Sequence, residues 1–166
     1  MIPAAVPERV YADLRGDQLH YRRAGRAGLP ALLLLHQSPS SSAMYQPLMT
    51  LLGERFRLIA PDTPGFGNSD PPAGAFAMPR AAGLLKQLLD SLHIGQCYLF
   101  GHHTGAALAV QLEHDYPGTA LAMALSGPTL LSEVQRQSLP ELASPIAPRD
   151  DGGHLLQMWR RVRAKD

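Results

Sequence analysis

Tyr98-Leu99-Phe100-Gly101-His102-His103-Thr104-Gly105-Ala106 passes from an apolar run, through two glycines, to small residues. Gln96 to Phe100 reads as a buried strand. Gly101 to Gly105 reads as a tight turn, and Ala106 to Tyr116 as a small-residue helix stopped by Pro117. A strand that turns sharply into a helix lifts the central residue of the turn, His103, above the sheet edge. Glycines two before and two after it keep neighbouring backbone clear. The first amides of the helix then point at that position, where they and the helix dipole favour negative charge.

The same alternation extends in both directions. Val10 to Arg23 has short alternating runs on either side of Gly16-Asp17, the pattern of a β-hairpin. Ala31 to Leu35 is continuously apolar and predicts a strand buried on both faces. Ser41 or Ser42 then caps a helix over about 43–52. Phe56 to Ala60 predicts the next strand, and residues 63–74 a long turn-rich loop. Leu84, Leu85, Leu88, Leu89 and Leu92 fall at helical spacing within 81–92, and Gly95 reads as the stop of that helix. Ala120 to Leu125 is a further strand. The fold class is α/β, a mostly parallel sheet with helices on both faces, preceded by the hairpin. The pattern changes after Pro128. The expected division is a core over 1–130 and a separate region over 131–166, in which Leu155, Leu156, Trp159 and Val162 suggest an amphipathic helix. The chain reaches Asp166 with no stop signal, and reads as cut inside that helix.

The 166 residues are 45% hydrophobic and only 17% charged, so a large share of the chain is expected to be buried. A net charge of +1 gives no reason to expect a nucleic acid or an acidic membrane as partner. Arg160, Arg161, Arg163 and Lys165 read as a solvated helix face. The single cysteine, Cys97, allows no intrachain disulfide and reads as inert core. With no signal-peptide pattern and no membrane-length apolar run, a cytoplasmic location is expected. His20, His93, His114 and His154 are placed at surfaces or element ends. Ser126, after the last strand, cannot act as an acid.

Three motifs in order carry a resemblance to the α/β-hydrolase family. Gly101-His102-His103-Thr104-Gly105 matches the family's G-x-nucleophile-x-G frame, with His103 where serine is usual. His36-Gln37-Ser38-Pro39 follows a buried strand, where the family shows His-Gly-x-Pro. Asp62-Thr63-Pro64-Gly65-Phe66-Gly67-Asn68-Ser69 matches the family's D-x-x-G-x-G-x-S loop. The resemblance covers about residues 17–130, and residues 131–166 resemble the start of a cap or lid. The strands that carry the family's catalytic acid and catalytic histidine are expected beyond this chain.

The resemblance implies hydrolysis of a small ester, amide or related bond, without cofactor or metal, in a pocket above the C-terminal sheet edge. His103 stands at the nucleophile position. The backbone amides of Thr104 and Ser38 are the implied oxyanion donors. His36, Gln37, Gly101, His102, Gly105 and Asp62 form the surrounding scaffold, with Gln37 in place of the family's glycine. His103 itself reads three ways: a nucleophile or general base, a pocket-lining group in a protein without catalysis, or a base in proton abstraction. His102 is expected to point away from His103 and to serve a structural hydrogen bond. Adjacent histidines at a sharp turn make a poor metal site. Ser38 offers a displaced nucleophile as a minor alternative. A non-catalytic small-molecule-binding protein, or a truncated remnant of the family, is the rival to the enzyme. In either case the sheet edge left by the last strand is expected to promote self-association.

Overall fold

The computed structural model describes residues 6–163 apart from 15, 73, 129, 131, 135 and 138–145, and the side chains through residue 160. In chain order the elements are β1 (Glu8–Leu14), β2 (Asp17–Ala24), β3 (Ala31–Leu35), a 3-10 turn (Ser42–Tyr45), α1 (Gln46–Leu52), β4 (Arg57–Pro61), α2 (Met78–Ser91), β5 (Cys97–His102), α3 (Thr104–Asp115), β6 (Ala120–Ser126) and α4 (Gly153–Arg163). The chain divides into two compact units, Met1–Thr129 and Leu130–Asp166. The first holds the sheet and three helices. In the second, α4 carries Leu155, Leu156 and Trp159, all exposed. Arg160 is exposed too, and the side chains of Arg161, Val162, Arg163 and Lys165 lie outside the described residues.

The sheet order is β1-β2-β4-β3-β5-β6. β1 and β2 form the expected hairpin, and β2 runs antiparallel to β4. The β4–β3, β3–β5 and β5–β6 pairings are parallel. On one face Leu33, Leu35, Ile59 and Leu99 pack against Leu85, Leu88 and Leu89 of α2 and Leu108 and Leu112 of α3. On the other, Leu34, Leu58 and Ala60 pack against Tyr45 and Met49. The leucine run Leu33-Leu34-Leu35 therefore buries successive side chains on opposite faces, which is why it lacks polar alternation. Each such leucine contributes about 2 kcal/mol by leaving water.

β6 differs from the other central strands. It pairs only with β5, and five of its seven residues are exposed. The expectation of a strand too apolar to face water fails here, because β6 is an edge strand that α3 reaches too sparsely to bury it.

Two helix ends depart from the sequence reading. α2 starts at Met78, with Pro79 in its first turn, where a missing amide costs nothing because first-turn amides have no helical acceptor. It stops at Leu92, and the stop is not Gly95. His93 takes φ 55, its amide donates to the Asp90 carbonyl at 3.0 Å, and the Ile94 amide donates to the Leu89 carbonyl at 2.9 Å. Ile94 and Leu89 are both buried, which completes a Schellman cap with a histidine in the left-handed position. His93→Gly is therefore expected to stabilise the fold by about 0.5–1 kcal/mol. Thermal melts of the two proteins check this; an unchanged or lower midpoint for the glycine variant counts against the cap as the source of strain.

Candidate functional site

The ends of β3, β4 and β5 bring the three motifs together. Asp62, just past β4, is fully buried and is the hub. Its carboxylate accepts from the Ser42 amide at 2.6 Å, the Asn68 amide at 2.8 Å and His20 Nδ1 at 2.8 Å. The Ser69 hydroxyl donates to the Asp62 carbonyl at 2.8 Å and accepts from the His20 amide at 3.0 Å. Burial pushes the Asp62 carboxyl up, but the bonds from Ser42, Asn68 and His20 outweigh it and hold it below the usual carboxylate range.

His20 is thus a correction to the sequence reading. It is 0% exposed, not at a surface, because β2 lies between β1 and β4 and the ring turns inward to reach Asp62. The pair has the composition of a catalytic dyad but is sealed from solvent, so it holds the loop rather than meeting a substrate. His93 and His114 are exposed as expected. His154 is half-buried and accepts from the Arg149 amide at 3.0 Å.

His36 joins two loops. The Thr63 amide donates to its Nε2 at 2.9 Å, which makes Nε2 the unprotonated nitrogen. Nδ1 then carries the proton and donates to the Gln37 carbonyl at 2.7 Å. Burial holds the ring's pKa below the ordinary imidazole value, against the opposing pull of the Gln37 carbonyl and the Asp62 charge. A neutral ring satisfies both bonds. Gln37 is half-buried at this junction, and the Ser38–Pro39 peptide bond is cis.

The turn after β5 has the geometry expected of a strained strand-to-helix crossing. His103 sits at φ 49, ψ −115, a conformation that costs a residue with a Cβ of order 1–3 kcal/mol. Gly101 and Gly105 make it possible. A Cβ on Gly105 would land on the backbone carbonyl of Leu35, and one on Gly101 would land on the Gly105 carbonyl and the Ala106 backbone. The start of α3 therefore packs backbone-to-backbone against the end of β3.

His103 is exposed, and its amide donates to the Ser126 carbonyl at 3.0 Å. Its ring leans over Gly127, where an added Cβ would lie 3.6 Å from His103 Nε2. His102 does not point away from it: the two rings meet edge to face with centroids 4.7 Å apart. Both rings reach toward the end of β6, where His102 Nδ1 lies 3.1 Å from both the carbonyl and the hydroxyl of Ser126. The structural bond expected of His102 is present, but its direction brings the rings together. No group of three or more metal-ligating side chains occurs among the described residues.

Thr104 faces the opposite neighbour of β5. Its Oγ1 accepts from the Ser38 amide at 2.7 Å, so that amide already has an acceptor. The Thr104 amide itself, in the first turn of α3, has no intrahelical partner by helix geometry. The engaged Ser38 amide was not legible in the sequence; a hydroxyl directly after His103 was its only local sign. Cys97 is fully buried, and burial, reinforced by the Glu113 charge, pushes its thiol up to about 12, which leaves no reactive thiolate.

Two cavities lie away from His103. One of about 430 Å³ is lined by Glu8, Arg23 and Arg57 among others. The other, of about 630 Å³, is apolar and runs along the sheet face at Leu32, Leu34, Tyr98 and Phe100. Neither is the pocket expected above the C-terminal sheet edge. No described helix is long and apolar enough to cross a membrane.

The chain is similar to known proteins. An uncharacterized hydrolase of Saccharomyces cerevisiae is 37% identical over 103 residues, which are 61% of this chain and 36% of that protein. A haloalkane dehalogenase of Psychrobacter cryohalolentis is 33% identical over 119 residues, covering 69% of this chain and 38% of the relative. The crystal structure of the haloalkane dehalogenase DbeA from Bradyrhizobium elkani superposes with a TM-score of 0.73 at 26% identity, over 84% of this chain and 51% of that one. The chain spans about a third of the length of the curated relatives it matches. The alpha/beta hydrolase fold family matches residues 30–160. With that match, and with His103 at the strained turn between β5 and α3, the chain belongs to the α/β-hydrolase fold family.

Proposed function

We propose that this chain carries the reacting centre of a cofactor-independent hydrolase acting on a small ester- or amide-type substrate, with His103 in the place of the usual serine. The observation that carries the reading is the backbone of His103. A non-glycine residue is held at positive φ, exposed, at the head of α3, in a turn built by close glycine packing. Strain of this kind persists where the surrounding structure enforces it, and it gathers at functional sites.

The chemistry is open to an imidazole. As nucleophile, a ring nitrogen attacks the acyl carbon and the carbonyl electrons move onto oxygen. Collapse breaks the bond to the leaving alcohol, which takes the proton lost by the acylated ring. Water then attacks the acyl-imidazole, the C–N bond breaks, and the carboxylic acid leaves. As general base, the ring instead takes a proton from the attacking water. Both routes place negative charge on the carbonyl oxygen beside the start of α3, where the Thr104 amide and the Ser38 loop lie.

A non-catalytic small-molecule-binding role is the second reading. It draws on the surroundings of His103, whose ring meets the His102 ring and, among the described residues, bonds to no carboxylate. Turnover of p-nitrophenyl acetate by the wild type and by His103→Ala separates the two. A catalytic His103 predicts a loss of about 10²–10⁴-fold in the variant. Equal rates would remove His103 from the chemistry and favour the binding role.

A further inference from the structure

The cavity of about 430 Å³ lies at the other end of the sheet from His103. β3, β4 and β5 run parallel, Arg57 opens β4, and His103 follows the end of β5. Tyr21 pairs with Pro61 and Arg23 with Ile59, and Arg57 lies two residues before Ile59. Alternate residues of a strand share a face, so Tyr21, Arg23, Ile59 and Arg57 all face α2. Two polar groups at this cavity have unused hydrogen-bonding capacity. Arg57 donates one N–H to the Leu92 carbonyl at 3.0 Å, the only hydrogen bond of its side chain among the described residues. A guanidinium has five such donors, so four remain. Tyr21 is 4% exposed, and its hydroxyl has no hydrogen-bond partner among the described residues. A buried phenol normally finds one.

We propose that this cavity is a second ligand site, for a small carboxylate whose apolar body carries an oxygen at its far end. Arg57 holds the carboxylate, and the Tyr21 hydroxyl donates to the far oxygen. The charge follows from the lining: Glu8 and Arg23 pair with each other at 2.8 Å, which leaves the Arg57 charge uncompensated. A planar guanidinium matches a carboxylate in charge and in shape. The apolar body follows from Leu58, Ile59 and Leu92, which line the space between the two anchors. The length follows from the register: Pro61, opposite Tyr21, stands four residues along β4 from Arg57, a backbone distance of roughly 13 Å. Two long side chains reaching inward from those positions leave room for a single ring or a short chain. The site is independent of His103 and of its chemistry.

The opposing expectation is that Arg57 is only a cation at the end of α2, where it satisfies a free carbonyl. That role uses one of its donors and leaves the Tyr21 hydroxyl unexplained. The experiment measures thermal midpoints of the whole 166-residue chain across a concentration series of sodium 4-hydroxybenzoate, against sodium chloride at equal ionic strength. The rise in midpoint with concentration reports the affinity. Benzoate lacks the far oxygen and 4-hydroxybenzamide lacks the charge. The proteins are the wild type, Arg57→Met, Arg57→Lys, Tyr21→Phe and Arg55→Met. Arg55 lies at the apolar cavity and serves as a control cation.

The wild type and Arg55→Met are expected to bind 4-hydroxybenzoate alike, and Arg57→Met to bind it about 10- to 100-fold more weakly. Arg57→Lys, which keeps the charge without the planar fork, gives the same direction if the methionine variant fails to fold. Tyr21→Phe removes a hydroxyl that has no partner, so the fold is expected to hold. Its affinity is expected to fall about 2- to 10-fold for 4-hydroxybenzoate and to stay unchanged for benzoate. Absence of a midpoint rise in the wild type overturns the proposal. So does an equal rise with 4-hydroxybenzamide, or an affinity that neither the Arg57 variants nor Tyr21→Phe reduce.

Discussion

Asp62→Ala is expected to destabilise the first unit by about 3–5 kcal/mol, the range seen when one member of a buried, hydrogen-bonded polar pair is removed. The carboxylate accepts from two backbone amides and one imidazole, and all three donors lose their partner at once. The His20 ring cannot turn to water because it is fully buried, and the Ser42 amide is fixed at the start of a 3-10 turn. For a chain of this size the loss corresponds to a fall in thermal midpoint of roughly 6–20 °C. Asp62→Asn keeps one acceptor oxygen and is expected to fall between the alanine variant and the wild type.

The same bonds give a sign for pH. The folded-state pKa of Asp62 is depressed, so its contribution is present above the unfolded value of about 3.9 and is lost as pH falls through the folded value. Asp62→Asn should show less acid destabilisation than the wild type below about pH 4. An alanine variant that melts within a degree of the wild type would falsify the assignment of Asp62 as the hub.

The second large effect concerns association. β6 offers an open backbone edge, with Leu121 51%, Met123 42% and Leu125 39% exposed on one side of the strand. On the other side, Ala122 and Ala124 continue the apolar cavity that runs past Tyr98 and Phe100. Unpaired strand amides beside uncovered apolar side chains are a template for another chain. The 166-residue chain is expected to self-associate at high concentration. Leu121→Lys with Met123→Lys is expected to shift it toward monomer, because charge on an edge strand opposes pairing. Light scattering over a concentration series checks both statements. A monomer at every concentration in the wild type would show that this edge is not adhesive.

Much of the fold was legible because the central strands announce themselves locally. Ala31 to Leu35 and Gln96 to Phe100 are apolar runs bounded by turn residues, and the helix over 78–91 repeats its leucines at the helical period. The centre of the site was legible for a similar reason: two glycines four residues apart around His103 are a local pattern with a steric cause. What was not legible depends on distant partners. His20 is a histidine in a hairpin strand until Asp62, 42 residues later, supplies the acceptor that draws it inside. The engagement of the Ser38 amide depends on a side chain 66 residues away. His93 lay closer to hand but contradicts propensity, since a Schellman cap usually selects glycine and one stood two residues further on. The buried Ile94–Leu89 contact fixes the cap at His93 instead.

The close packing at Gly101 and Gly105 bears on how this fold changes its chemistry over evolution. The turn is enforced by backbone against backbone, α3 on the end of β3, and none of those contacts involves the side chain at position 103. That side chain projects outward, and its identity is almost independent of the forces that shape the turn. A lineage can therefore exchange the side chain at this position by a single replacement while the surrounding architecture stays intact. Selection on the exposed side chain and selection on folding act here on different residues, two positions apart.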